Sequence, residues 1–304
     1  MIFNVLEHVL NPNLAIKNLS KILKKNGKIV GSTPFLFRVH GAPKDYSRFT
    51  KDHLIELLKS SNFKDIEIIE GLLRDEAREL NRGFFSRLEK NRPFITAKMA
   101  IGLDGGIALN SGKSKWITSE ISRKDVHKLR ASNEAILTGT GTILKDNPSL
   151  TSRDSGYDIN DVKQPLRVVI DRNNYLNGKE NIFSSEAKTL VFTTKNSKIK
   201  SKNCEICVMS KNDLEDLNNI MNYLAKEKSI NTLMIESGSI LLDALMAQEL
   251  IDELILYQAP KLLGKDRNTF SKFGQNNQKL STIGFTIRDM ENLGEDLKIT
   301  LSPK

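Results

Sequence analysis

The stretch Thr232-Leu233-Met234-Ile235-Glu236-Ser237-Gly238-Ser239-Ile240-Leu241 decides the fold. Residues 232–235 are β-branched or apolar and read as a strand. A single carboxylate ends it, and a Ser-Gly-Ser turn opens an apolar run over 240–246 that reads as a helix. Upstream, Leu214, Leu217, Ile220, Met221 and Leu224 share one face of a helix opening at Asn212, with Glu215 at capping-box spacing. Downstream, residues 254–258 read as the next strand. Strand-like runs also fall at 94–101, 135–138, 166–170 and 189–193, with a helix over 119–131. Residues 284–288 and 297–301 look like closing strands. Strands alternating with helices predict an α/β domain built on a mostly parallel sheet.

The first part of the chain reads as the tail of another α/β unit. Residues 1–9 are strand-like, 14–23 have a helical rhythm, and Asn26-Gly27 stops that helix. Residues 28–32 read as a strand, 50–60 as a helix capped by Thr50, and 63–69 as a strand near a sheet edge. From residue 72 the sequence becomes charged and helical up to 80, and Arg92-Pro93 breaks the pattern. The boundary is therefore expected between 1–70 and 71–304.

Composition bounds the function. The 304 residues, 39% hydrophobic and 27% charged, have a globular balance. No apolar run approaches the roughly 18–20 residues of a membrane span, and no secretion signal is expected. Two cysteines give no disulfide framework, so a reducing cytoplasm is the default compartment. The net charge of +9 fits either a solvated basic surface or attraction of phosphorylated ligands. Nucleic-acid binding is not expected, because no basic stripe carries interleaved aromatics.

Four stretches carry chemistry. Lys98-Met99-Ala100-Ile101-Gly102-Leu103-Asp104-Gly105-Gly106 is a strand ending in a glycine turn with one carboxylate. An ordinary tight turn would look the same, but a lysine on a core strand needs a partner. Ser111-Gly112-Lys113-Ser114-Lys115-Trp116-Ile117-Thr118-Ser119 holds the only tryptophan just before a helix start, where free N–H groups meet anions. Thr138-Gly139-Thr140-Gly141-Thr142, followed by Asp146-Asn147-Pro148-Ser149-Leu150-Thr151-Ser152-Arg153, lets backbone amides approach a pyrophosphate. Glu236 and the Gly238 turn fall beyond the carboxyl end of a strand, where open α/β sheets bind ligands.

The order of these stretches, closed by Ala259-Pro260-Lys261-Leu262-Leu263-Gly264, resembles the reductase half of the bacterial riboflavin-biosynthesis deaminase-reductases. Glu79-Leu80-Asn81-Arg82-Gly83-Phe84-Phe85 is similar to that family's lead-in. The resemblance implies a dihydrofolate-reductase-like fold, a mixed and mostly parallel sheet flanked by helices. It implies NADPH-dependent reduction of the ribose of 5-amino-6-(5-phosphoribosylamino)uracil to the ribityl product, and a homodimer. Carried over by motif, the substrate contacts would be Lys98, Ser114, Arg130, Leu150, Arg153 and Glu236, with Arg130 and Arg153 suited to clamp phosphate. The NADPH contacts would be Ala100, Trp116, Thr142, Asp146 and the run Gly238, Ser239, Ile240, Leu241, Leu242, Asp243 and Ala244. No proton donor is assigned.

The chain departs from the family at Gly102, usually Ser, at Gly106, where Arg or Lys is common, and at Arg172, often Ser. The glycines imply a more mobile loop, and Arg172 is a candidate partner for the NADPH 2′-phosphate. The zinc-dependent deaminase signature, His-x-Glu followed by a Cys pair, is missing around His8, His40, His53 and His127, so no deaminase activity and no metal are expected. Cys204 and Cys207 have the spacing of such a pair but read as structural.

Asn4-Val5-Leu6-Glu7-His8-Val9, Leu23-Lys24-Lys25-Asn26-Gly27-Lys28-Ile29 and Tyr46-Ser47-Arg48-Phe49-Thr50 resemble later motifs of class I S-adenosylmethionine methyltransferases. The resemblance implies a truncated Rossmann-like fragment lacking the loop that seats the methyl donor. A methyltransferase completed by a partner, or a non-catalytic chimeric binding protein, are the competing functional readings.

Overall fold

The computed structural model describes residues 2–3, 5–33, 44, 46–71, 74–109, 116–153, 156, 162–195, 197–265, 267–271 and 283–304. Ser114 lies outside them. The chain divides into two compact units, Met1–Ala77 and Arg78–Lys304.

The first unit contains β1 (Ile2–Phe3), α1 (Pro12–Ile22), β2 (Gly31–Ser32) and α2 (Lys51–Lys59). β1 and β2 pair in parallel. Asn11 and Thr50 cap the two helices through their side-chain oxygens, and Ile16, Phe49 and Leu57 form a small core. The strand expected over 63–69 does not form. Phe63 packs on that core while Ile69 stays 69% exposed, and these residues pair with no strand among the described ones. The expected boundary at residue 70 stands just ahead of α3 (Arg74–Leu80), within which the two units divide.

The second unit opens with α4 (Arg82–Lys90), β3 (Phe94–Ile101), β4 (Gly106–Leu109), α5 (Glu120–Ala131), β5 (Ala135–Gly139) and α6 (Thr140–Asp146). It continues with β6 (Leu166–Asp171), β7 (Thr189–Thr193), β8 (Cys204–Val208), α7 (Lys211–Glu215), α8 (Leu217–Lys226) and β9 (Thr232–Ile235). It ends with α9 (Ser239–Ala247), β10 (Glu253–Gln258), β11 (Arg267–Thr269), β12 (Phe285–Leu293) and β13 (Asp296–Pro303). The described strands make a nine-stranded sheet in the order β12-β13-β10-β3-β9-β5-β6-β7-β8. Every pairing from β10 to β8 is parallel; β13 and β12 join antiparallel. The short pair β11-β4 stands apart. This is the expected mixed, mostly parallel sheet flanked by helices.

The central strands are apolar on both sides because both faces are covered. One face carries Ala97, Leu137, Leu233 and Ile235 with Leu242 and Leu245 of α9 and the apolar stripe of α8. The other carries Ile136, Val169, Met234, Ile255 and Tyr257 with Val126 of α5 and Ile143 of α6. Cys204 belongs to the second face and Cys207 to the first, so the two thiols point apart.

The helix expected to open at Asn212 is two helices. Ser210 caps α7 by accepting from Asp213 N, and Asp216 caps α8 by accepting from Asn218 N. The apolar spacing runs through this break unchanged, which hides it from periodicity.

At the amino end of the sheet, carboxylates pin α4. Arg82 donates twice to Glu253, at 2.7 and 3.1 Å, and its guanidinium lies 4.3 Å from the Phe94 ring centre. Arg92 and Lys90 converge on Asp252, which also accepts from Ile95 N. Gly83 is needed there: a Cβ would lie 2.7 Å from Thr232 Cγ2 and 2.9 Å from the Asn231 carbonyl.

Candidate functional site

Neighbouring parallel strands β5 and β9 send their following helices to opposite faces. α6 packs with Ile136 and Met234, whereas α9 packs with Leu137 and Ile235. Such a divergence opens a crevice beyond the carboxyl ends of the two strands, the usual ligand position of an open α/β sheet. Gly139 and Gly238 stand at the amino ends of the two helices, with no side-chain cap on either. A Cβ at Gly141 or Gly238 would meet nothing within 4 Å. The crevice therefore has glycine-lined room beside free helix N–H groups, which suits a phosphate-bearing cofactor.

On the α5 side of the crevice, three charged side chains converge. Arg130 Nε donates to Glu236 Oε1 at 2.5 Å and Nη2 to Oε2 at 3.0 Å. Lys98 Nζ lies 3.5 Å from Glu236 Oε2. Glu236 is buried, and burial alone would oppose its ionisation. The charges of Arg130 and Lys98, with their hydrogen bonds, overcome that and hold its carboxyl down at about 2. These residues meet because Lys98 and Glu236 lie on the same face of adjacent β3 and β9, and the last turn of α5 runs across it.

Three of the five guanidinium N–H groups of Arg130 are used here, Nε and Nη2 on Glu236 and Nη1 on the Thr151 carbonyl at 3.1 Å. The fork expected to clamp phosphate thus organises Glu236 and the loop after α6 and keeps one N–H on each terminal nitrogen. That loop is held residue by residue. Arg167, fully buried on β6, donates to the carbonyls of Ser149, Ser184 and Ala187. Leu150 is buried at φ 47°, a left-handed conformation uncommon outside glycine. Ser152 exchanges two 2.8 Å bonds with the Gln164 amide, and its hydroxyl donates to the His127 carbonyl. Arg153 N donates to His127 Nδ1 at 3.0 Å, while the Arg153 residue itself is exposed. Lys98, Arg130 and Glu236 thus form one charged cluster, and the Arg153 backbone is tied to the same α5 through His127.

The expected cofactor residues fall on several elements. Ala100 is on β3 and Thr142 and Asp146 on α6. Trp116 is 64% exposed with the Arg123 guanidinium 4.4 Å over its ring. Of the 238–244 run, Ile240 is 87% exposed, Asp243 accepts from Ser271, and Leu242 is turned into the core, leaving it only backbone to offer. The turn after β3 is held firmly rather than loosely. Asp104 accepts from Gly106, Leu263 and Gly264 N–H groups, and Leu103 N donates to the Lys261 carbonyl. Gly102 is required, since a Cβ would lie 2.6 Å from that Lys261 oxygen. Arg172, just past β6, donates to the Leu214 carbonyl.

Sequence reading missed a polar cluster on the same face. Tyr257 donates to Asp125 at 2.7 Å, and Lys298 Nζ stands 2.7 Å from the same Asp125 oxygen. Burial and then the Asp125 bond push the Tyr257 hydroxyl far above the usual phenol range. It missed His127 too, although a residue three before Arg130 on a helix must share its face.

A family model described as the RibD C-terminal domain matches residues 93–299. The chain belongs to the RibD C-terminal domain family. It is 32% identical to the riboflavin biosynthesis protein RibD of Haemophilus influenzae, over 81% of this chain and 68% of that protein. It is 33% identical to a Buchnera aphidicola protein named 5-amino-6-(5-phosphoribosylamino)uracil reductase, covering 64% of this chain and 99% of that one. The solved structure of Acinetobacter baumannii RibD superposes with a TM-score of 0.72 at 30% identity, over 82% of this chain and 68% of that one. The RibD C-terminal domain thus supplies both crevice and charged cluster, and the sheet has the dihydrofolate-reductase-like form expected of it. The methyltransferase-like reading of residues 1–70 gains no support from these likenesses. Among the described residues no group of His, Cys, Asp or Glu could hold a metal, and no helix is long and apolar enough to cross a membrane.

Proposed function

We propose that residues 71–304 reduce the ribosyl group of 5-amino-6-(5-phosphoribosylamino)uracil to the ribityl group with NADPH, and carry out only this step of riboflavin biosynthesis. The observation that carries this reading is the buried Glu236 held between Arg130 and Lys98 beside the glycine-lined crevice of β5 and β9. Lys98 and Arg130 face one carboxylate and Arg153 is tied to His127 on the same helix as Arg130, so the site keeps a surplus of positive charge for a phosphate carrying about −1.5 to −2 charges. Arg153, whose side chain is the more exposed, receives the phosphate. Ionised Glu236 accepts from sugar hydroxyls or pyrimidine N–H groups, and Lys98 and Arg130 fix its orientation.

NADPH, when bound, supplies the hydride. The residues suited to hold it are those around the α6 and α9 starts, with Trp116 and Ala100 at the side. They orient the cofactor over the substrate and exclude water, which is the protein's share in such chemistry. The test is NADPH oxidation measured with the deaminated and the still-aminated pyrimidine substrates; no oxidation with either would refute the reading.

Arg172 is proposed to meet the NADPH 2′-phosphate by leaving the Leu214 carbonyl. Arg172→Ala is then expected to lower the preference for NADPH over NADH by about tenfold, the loss of one charge-assisted contact. An unchanged preference would remove the assignment. A homodimer is proposed through the edge strand β12, which is paired on one side only and exposes Ile287 and Met290 at 57% and 54%. Light scattering on the eluted protein is expected to give twice the chain mass of 34.2 kDa, and the monomer mass would exclude it.

A further inference from the structure

Six hydrogen bonds among the described residues hold the segment from Ser149 to Arg153, and five of them do not titrate near neutral pH. They are Arg167 to the Ser149 carbonyl, Arg130 to the Thr151 carbonyl, the two Ser152 bonds with Gln164 and the Ser152 hydroxyl to the His127 carbonyl. The sixth is different. Arg153 N donates to His127 Nδ1 at 3.0 Å, so Nδ1 must be the unprotonated ring nitrogen. This link is the last before the exposed Arg153 side chain.

We infer that His127 is a positioning residue: its neutral imidazole holds the Arg153 backbone so that the Arg153 side chain meets the substrate phosphate, and protonation releases it. The inference rests on the proposed role of Arg153. Protonated imidazole has no acceptor, so the bond cannot survive the gain of a proton. The groups facing the ring are Arg130 from its own helix, Arg153 from the loop, Glu236 from the end of β9, and the Thr151 carbonyl. Burial and then the two arginines hold the imidazole below the usual histidine range, while Glu236 and Thr151 pull weakly the other way. The link is therefore intact at neutral pH and opens only on acidification.

His127→Asn separates the acceptor from the titration, because its carboxamide oxygen stands as many bonds from Cβ as Nδ1 does and does not protonate. KM for the phosphorylated substrate is compared in the two proteins across the range of about pH 5 to 8. The substrate phosphate titrates in this window too, but identically for both, so the ratio of the two KM values isolates the imidazole. The ratio of wild-type to variant KM is expected to be flat above neutrality and to rise about fivefold toward the acid end, one hydrogen bond's worth. His127→Ala should raise KM by about the same factor at neutral pH while leaving kcat nearly unchanged. Parallel KM profiles for wild type and His127→Asn would overturn the inference. A second readout needs no turnover: the Arg153 backbone amide resonance should titrate with the imidazole in wild type and not in His127→Asn. If substrate is not reduced at all the functional reading fails, and the amide titration still decides the positioning role, an unresponsive amide refuting it.

Discussion

Replacing Glu236 by glutamine is expected to cut kcat/KM for NADPH-dependent reduction by at least about a hundredfold and to destabilise the second unit by about 3 kcal/mol. The change is nearly isosteric, so packing is kept and only the charge is lost. Two buried or half-buried cations, Arg130 and Lys98, then face a neutral amide. A broken buried pair costs more than an intact one contributes, because the surviving charges keep their desolvation penalty. Thermal unfolding of the second unit should fall by about 6–12 °C. The pH dependence gives an independent signature. The carboxyl titrates at about 2 in the folded protein, against 4.5 as the unperturbed value. Its stabilisation is therefore complete above the unperturbed value and is lost as pH falls toward the folded one. The wild type should lose stability over that acid window, and the glutamine variant should show correspondingly less of this loss. Equal activity and equal acid unfolding would mean that Glu236 is a bystander.

Gly238→Val is expected to raise KM for NADPH by at least about a hundredfold while costing only about 1 kcal/mol of stability, that of a poorer N-cap residue. The backbone at Gly238 has φ −77° and ψ 179°, an extended conformation open to any residue. No described atom lies within 4 Å of an added Cβ, so the side chain starts into open space. The substitution fills only the space assigned to the cofactor and shields the first N–H groups of α9. An unchanged KM would place NADPH elsewhere. The contrast with Gly102 is useful, because there a Cβ would run into the Lys261 carbonyl and the fold itself would suffer.

The sheet was legible where strands are buried on both faces. β3, β5, β6 and β7 are mostly apolar, β-branched-rich runs bounded by turns, and their positions follow from composition. Residues 63–69 alternate just as well, but alternation describes a strand's faces and not its partner, and no described strand pairs with them. The α7–α8 break escaped notice because Ser210 and Asp216 each satisfy a helix start while the apolar spacing stays helical across both. At the site, Lys98 and Glu236 were legible as charges out of place on apolar strands. How Arg130 divides its donors was not, since the Thr151 carbonyl it serves carries no side-chain signal. The Asp125–Tyr257–Lys298 cluster was hidden for another reason: its members come from α5, β10 and β13, which only the folded sheet brings together.

The pinning of α4 bears on where the reductase can be cut free. The matched family segment begins at residue 93, yet Arg82, Lys90 and Arg92 all lie before that point. A fragment trimmed to the family limit would leave Asp252 and Glu253 at the foot of β10 without their cationic partners, keeping only the Ile95 N–H and the Thr96 hydroxyl as donors, and strip the cover from Thr232 and Asn231, against which Gly83 sits. For truncation, the minimal self-sufficient reductase therefore starts ahead of Asn81, and α4 is its first structural element rather than a tether to whatever precedes it.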